Sequence, residues 1–178
     1  MLGKSCFRLQ FVLASFAKMN VDVILETFAR HEVGAILIGG MNFLLRHQPV
    51  LTFDVDFWVK DSEENLVRVD RALRELGAEW GRDDASWGPL PEGTNWLRGQ
   101  TVFCLTSRHG AIDIFREVRG LEGQYENCAA RSTWERTSAG TSFRSLADED
   151  MLACQLVLPD SERRLDRVSY LRSLKEKS

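Results

Sequence analysis

Between positions 52 and 57 the chain reads Thr52-Phe53-Asp54-Val55-Asp56-Phe57, an alternation of acid and apolar side chains that only an extended backbone sorts cleanly onto two sides. On a strand, residues two apart share a face, so Asp54 and Asp56 stand together while Phe53, Val55 and Phe57 turn the other way. At about 3.3 Å per residue their Cα atoms lie roughly 6 to 7 Å apart, a span from which both carboxylates reach one divalent ion or a close metal pair. Neighbouring carboxylates on an otherwise apolar strand repel each other unless a cation, a proton or solvent relieves them. Mg²⁺ suits this role, because it accepts one or two carboxylates together with substrate phosphates. The competing reading of the motif alone is a solvated strand face with no metal.

The surrounding pattern alternates helix and strand. Asn20 caps a helix whose Val21, Ile24, Leu25 and Phe28 recur at helical spacing, and Gly34 ends it. Ala35-Ile36-Leu37-Ile38 reads as a strand buried on both faces, followed by Gly39-Gly40, a short helix over Met41 to Arg46, a break at Pro49, and a strand from Leu51 to Lys60. Ser62 then caps a helix with Glu63 and Glu64 in its first turn, Leu66, Val69, Leu73 and Leu76 on one face, and Gly77 just past its end. Its arginines, Arg68, Arg71 and Arg74, read as solvated charges. Residues 81–100 are a long loop in which Trp87 and Trp96 serve either function or the sealing of the core.

Thr101 to Thr106 and Ala111 to Phe115 form a hairpin around a four-residue turn, Ser107-Arg108-His109-Gly110. An irregular segment leads to Ser145 and Asp148, a capping pair before a helix over Met151 to Leu158; Pro159 stops it, and a last helix runs from Asp160 or Ser161 to the tail.

The length of 178 residues fits one domain, read here as residues 20–178 with a C-terminal helical segment at 145–178, preceded by an N-terminal extension at 1–19. In that extension Lys4 and Arg8 precede the apolar stretch Leu9 to Ala17, and Ser15-Phe16-Ala17 faintly resembles a signal cleavage site; the apolar core is short and impure, which favours a loose helix, or Met19 as the natural start. A net charge of −3 offers no general attraction for nucleic-acid phosphates, so any such contact is local. The tail from Glu162 to Lys177 sets six basic residues against three acidic ones, but Val168, Leu171 and Leu174 recur every three positions, which argues for a docked amphipathic helix ahead of RNA contact. Cys6, Cys104, Cys128 and Cys154 show no zinc spacing and fit a reduced, cytoplasmic setting, and no apolar run is long enough to span a membrane. His31, His47 and His109 are scattered; His47 alone lies near the glycines, where a ligand role is open to it.

Two further features join the acid pair. Ile112-Asp113-Ile114 sets one acid between isoleucines on a short strand, and if that strand neighbours the first, Asp113 becomes a third ligand; otherwise it faces water from an edge. Gly39-Gly40, between strand and helix, lets backbone N–H groups approach an anion without Cβ obstruction, and the helix N-terminus favours negative charge.

The run Leu37-Ile38-Gly39-Gly40-Met41, with Pro49, Thr52, Asp54, Asp56 and Ile112-Asp113-Ile114, resembles the DNA polymerase beta-like nucleotidyltransferase superfamily, and within it the small bacterial abortive-infection toxin-like nucleotidyltransferases. A looser likeness continues through Ser145 to Asp150 and Arg163 to Asp166. The resemblance implies an α+β fold, a mixed sheet flanked by helices. It implies Asp54 and Asp56 on Mg²⁺ and nucleotide phosphates, Asp113 activating the acceptor hydroxyl as a third acid at the metal, Gly39 and Gly40 against the triphosphate, and Thr52 in support. The reaction implied is transfer of a nucleoside monophosphate from a nucleoside triphosphate to RNA, protein or a small molecule. A toxin role with a protein antitoxin is implied as well. Relatives often carry glycine at His47, arginine at Val50 and lysine near Cys154 or Gln155; Arg46 or Arg163 are the available substitutes, and without one the chain reads as a catalytically inactive relative that binds nucleotide or a protein. A glycosyltransferase built on the same acid pair is disfavoured by the short chain.

Overall fold

Local signals start the helices where the sequence places them. In the computed structural model, which describes residues 19–176, Asn20 accepts the Val23 N–H at 3.2 Å and opens α1 (Val21–Arg30). Gly39 and Gly40 begin α2 (Gly39–Arg46) directly after β1 (Ala35–Ile38). Ser62 accepts the Asn65 N–H and opens α3 (Glu63–Glu75), which Gly77 follows at φ +65°. The intervening strand β2 is Asp54–Val59, shorter than the expected Leu51 to Lys60, and Phe53 precedes it, 41% exposed.

The hairpin expected after residue 100 is present as β5 (Val102–Ser107) and β6 (Gly110–Phe115). Ser107 pairs with Gly110, so the turn is the two residues Arg108 and His109 and not four; Gly110, which closes it, has φ +125°, a conformation that glycine adopts without a Cβ penalty. The loop at 81–100 carries its own structure: Glu79–Trp80 (β3) pairs with Gly88–Pro89 (β4), and two short 3₁₀ turns follow the chain around it. Trp96 is buried, donates to Asp70 at 2.9 Å and meets Trp80 at a tilt and Phe103 edge-on, which assigns it to the core.

The segment after Phe115 is not irregular. It holds α4 (Tyr125–Arg131), β7 (Thr133–Arg136) and β8 (Ser142–Ser145), and β8 lies parallel to β1 with Leu37 opposite Ser145. Ser145 therefore ends a strand and caps nothing; its hydroxyl donates to Asn42 Oδ1 at 2.6 Å. Helix α5 is Asp148–Leu156, begun by Ala147 without a side-chain cap, and α6 is Leu165–Lys175, several residues later than Asp160 or Ser161. Val168 and Leu171 of α6 are buried, as the three-residue spacing predicts. Residues 1–18, Lys177 and Ser178 lie outside the described residues, and with them the readings of an N-terminal helix or signal. Among the described residues no helix is long and apolar enough to cross a membrane.

The strands form one mixed sheet in the order β4-β3-β5-β6-β2-β1-β8-β7, with β2 parallel to β6 and antiparallel to β1. Strand alternation divides the interior into two layers. Leu37, Val55, Phe57, Phe103, Leu105, Ile112 and Ile114 join α1 and α3 in one apolar cluster. Ile36, Ile38 and Trp58 face α4, α5 and α6 in a second.

Candidate metal centre

The second layer does not cover its face of the sheet with apolar residues throughout. Along β2 that face reads Asp54, Asp56, Trp58, and only the Trp58 end is sealed, by Tyr125 at 5.3 Å between ring centroids. The register sets Asp56 opposite Asp113 of β6 on one side and opposite Ile38 of β1 on the other. Parallel pairing turns the two acids to the same face, so Asp56 becomes the neighbour that Asp113, the isolated acid between isoleucines, called for. One carboxylate oxygen from each of Asp54, Asp56 and Asp113 lies within 4.8 Å of the others. Asp113 is 6% exposed, and Asp54 is half-buried.

Three negative groups at this separation repel by about 3 kcal/mol per pair at an effective dielectric of about 20. An all-oxygen donor set of this kind fits a hard divalent cation such as Mg²⁺, which relieves that repulsion. The Cys104 thiol donates to Asp113 Oδ2 at 3.4 Å from the adjoining strand. Thr52, just before β2, donates to Asp54 Oδ1 at 3.3 Å and holds its orientation.

The glycines meet the acids directly. Gly39 has φ +68°, and a Cβ placed there would stand 2.0 Å from Asp56 Oδ2; one at Gly40 would stand 2.6 Å from Thr52 Oγ1. Larger residues at either position would displace the groups they face. No side chain caps the first turn of α2, and that turn has no acidic residue, so its N–H groups and the positive end of the helix dipole are set for an anion.

The substitute cations expected from the sequence lie elsewhere. Arg46 pairs with Asp148 at 3.3 Å and donates to the Leu146 carbonyl, while Arg163 pairs with Asp160 and donates to the carbonyls of Gln155, Leu156 and Leu158. His47 joins Asp148 at 2.8 Å between Phe43 and Tyr170 and is no part of the acid group. Val50 packs in the second apolar cluster, and the Gln155 side chain accepts the Arg164 N–H. The cation that does come to the glycines is Arg167 of α6, whose Nη2 stands 3.2 Å from the Cβ position of Gly40 and whose Cζ lies 5.7 Å from the Phe43 ring centroid. Burial, then neighbouring Arg164, draws its pKa below the usual value, against the pull of Asp166, Asp56 and Asp54. The sequence offered Arg167 only as one of six basic tail residues, and nothing in its spacing set it apart.

No protein-family model matches the chain, and no curated protein matches it in sequence. Solved structures do. The lincomycin-bound lincosamide antibiotic adenylyltransferase LnuA superposes with a TM-score of 0.56 at 15% identity over 88% of this chain and 98% of its own. A nucleotidyltransferase candidate from Thermotoga maritima gives 0.50 at 14% identity over 88% of each chain. The architecture is thus a nucleotidyltransferase-like α+β fold, as the sequence implied.

Proposed function

We propose that this chain is a Mg²⁺-dependent nucleotidyltransferase that moves a nucleoside monophosphate from a nucleoside triphosphate onto an acceptor hydroxyl. One observation carries the reading: on a nucleotidyltransferase-like fold, three carboxylates from two paired strands converge beside an uncapped helix start built on Gly39 and Gly40. Asp54 and Asp56 would hold the metal, with Asp113 as the third ligand. Mg²⁺, when bound, supplies positive charge against the phosphates and sets them in line for displacement. Thr52 fixes the Asp54 carboxylate, and the first-turn N–H groups of α2 bind phosphate oxygens. Asp113 takes the proton of the acceptor hydroxyl as its oxygen bonds to the α-phosphorus, and the bond from that phosphorus to pyrophosphate breaks with its electrons leaving on pyrophosphate.

Acceptor chemistry is less constrained by the site, because RNA, protein and small-molecule hydroxyls are all served by the same three acids. A small molecule draws support from LnuA, whose lincomycin-bound fold is covered almost end to end. The toxin role, with an antitoxin protein as partner in the cytoplasm, rests on sequence resemblance alone. An inactive nucleotide- or protein-binding regulator rests on Val50 and Gln155, and the geometry adds no observation in its favour. Incubation with Mg²⁺, each α-³²P-labelled nucleoside triphosphate and an acceptor panel should give labelled product and pyrophosphate with wild type and neither with Asp54→Ala. Binding of triphosphate without transfer to any acceptor class would contradict the catalytic reading.

A further inference from the structure

We infer that Arg167, carried by α6, is the cation that receives the nucleotide's phosphates above the Gly39–Gly40 turn, making the C-terminal helix part of the substrate site. The inference rests on the nucleotidyltransferase reading and adds to it a specific phosphate-binding group. Three observations converge. The guanidinium reaches the first turn of α2, beside Gly40 and Thr52, where the N–H groups are set for an anion. It is half-buried, and among the described residues it makes no ion pair or hydrogen bond. Three other partly buried arginines are matched to carboxylates, Arg46 to Asp148, Arg116 to Asp61 and Arg163 to Asp160, while Arg144, over the Trp134 ring, shares with Arg167 the lack of one among the described residues but does not come to the glycine turn.

A half-buried guanidinium without a carboxylate is costly unless something else compensates it. The Phe43 ring holds its position from one side but leaves its N–H donors unused. The nearby acids, Asp54 and Asp56, act on it only through space and belong to the metal-binding group. The cleft therefore presents anions to a metal and a cation to phosphates, a division of charge that matches a metal–triphosphate and matches neither a bare cation nor a bare anion. The planar fork of arginine suits bidentate contact with phosphate oxygens.

Calorimetric titration of the full chain with Mg²⁺–tripolyphosphate, and with non-hydrolysable analogues of the four nucleoside triphosphates, tests this without requiring turnover. Arg167→Met keeps a long unbranched side chain and removes the charge; it should weaken binding about tenfold or more, the range of a charge-assisted contact. Arg167→Lys should recover part of the loss. Arg172→Ala removes an exposed charge from the same helix and should leave affinity within about twofold. Melting curves without ligand separate packing from binding, since a purely structural Arg167 would shift melting and leave affinity intact. Equal affinity in wild type and a folded Arg167→Met would overturn the inference alone, as would equal losses in Arg167→Met and Arg172→Ala. Failure of wild type to bind any of these probes would overturn the nucleotidyltransferase reading and this inference with it.

Discussion

The two faces of β2 are built from one six-residue strand and do opposite things. Val55, Phe57 and Val59 enter an apolar layer closed by α1 and α3, where Phe57 stacks on Phe28 at 4.1 Å. Asp54 and Asp56 enter the other, which α4 to α6 cover only as far as Trp58. The first face gains stability from burial, and the second gives some up by gathering like charges. The proposed site on this sheet sits where the helical cover stops.

That contrast can be broken or sharpened by substitution. Asp56→Ala should lower nucleotidyl transfer on the order of 10³-fold, several kcal/mol of lost charge stabilisation, while leaving melting unchanged or raised because a repulsion is removed. Phe57→Ala, one residue along, should do the reverse and lower unfolding free energy in denaturant titration by about 3 to 5 kcal/mol. Equal stability losses from the two would erase the distinction between the faces. Gly39→Ala should affect both properties, since it strains a positive φ by about 1 to 2 kcal/mol and drives its Cβ into Asp56; transfer and melting should fall together. Thr52→Val removes one hydrogen bond to Asp54 and should reduce kcat by less than about tenfold with little change in melting.

The smallest effect lies at Glu75, far from the acids. The hydrogen bond from His31 chiefly, with Arg30, holds its pKa below the usual carboxylate value. A depressed folded-state pKa gives stability that is present above the unfolded value and is lost as pH falls through the folded one. Melting temperature should therefore fall less steeply in acid for Glu75→Gln than for wild type.

How much of this was legible in the sequence follows from how local each signal is. The cap at Ser62, the positive-φ glycine at 77 and the alternation over Asp54 to Phe57 depend on neighbours within a few residues, and each corresponds to an observed feature. The meeting of Asp113 with Asp56 depends on parallel pairing across more than fifty residues, and the sequence could only pose it as a condition; the register fulfils it. Strand β8 escaped notice because Ser142-Phe143-Arg144-Ser145 has one apolar residue, Phe143, and is a strand by virtue of lying beside β1. Asp148 was read with Ser145 as a cap, whereas tertiary contacts give it to His47 and Arg46. Arg167 was hidden for the same reason: its position is fixed by how α6 docks and not by its sequence neighbours.

The central claim is that Asp54, Asp56 and Asp113 together hold a divalent cation for phosphate chemistry. Crystals soaked with Mn²⁺ and a non-hydrolysable nucleoside triphosphate, measured at the manganese edge, test it most directly. The account predicts an anomalous peak in coordination contact with all three carboxylates, with the phosphates directed toward the Gly39–Gly40 turn. A nucleotide bound with its metal away from these three residues would contradict it.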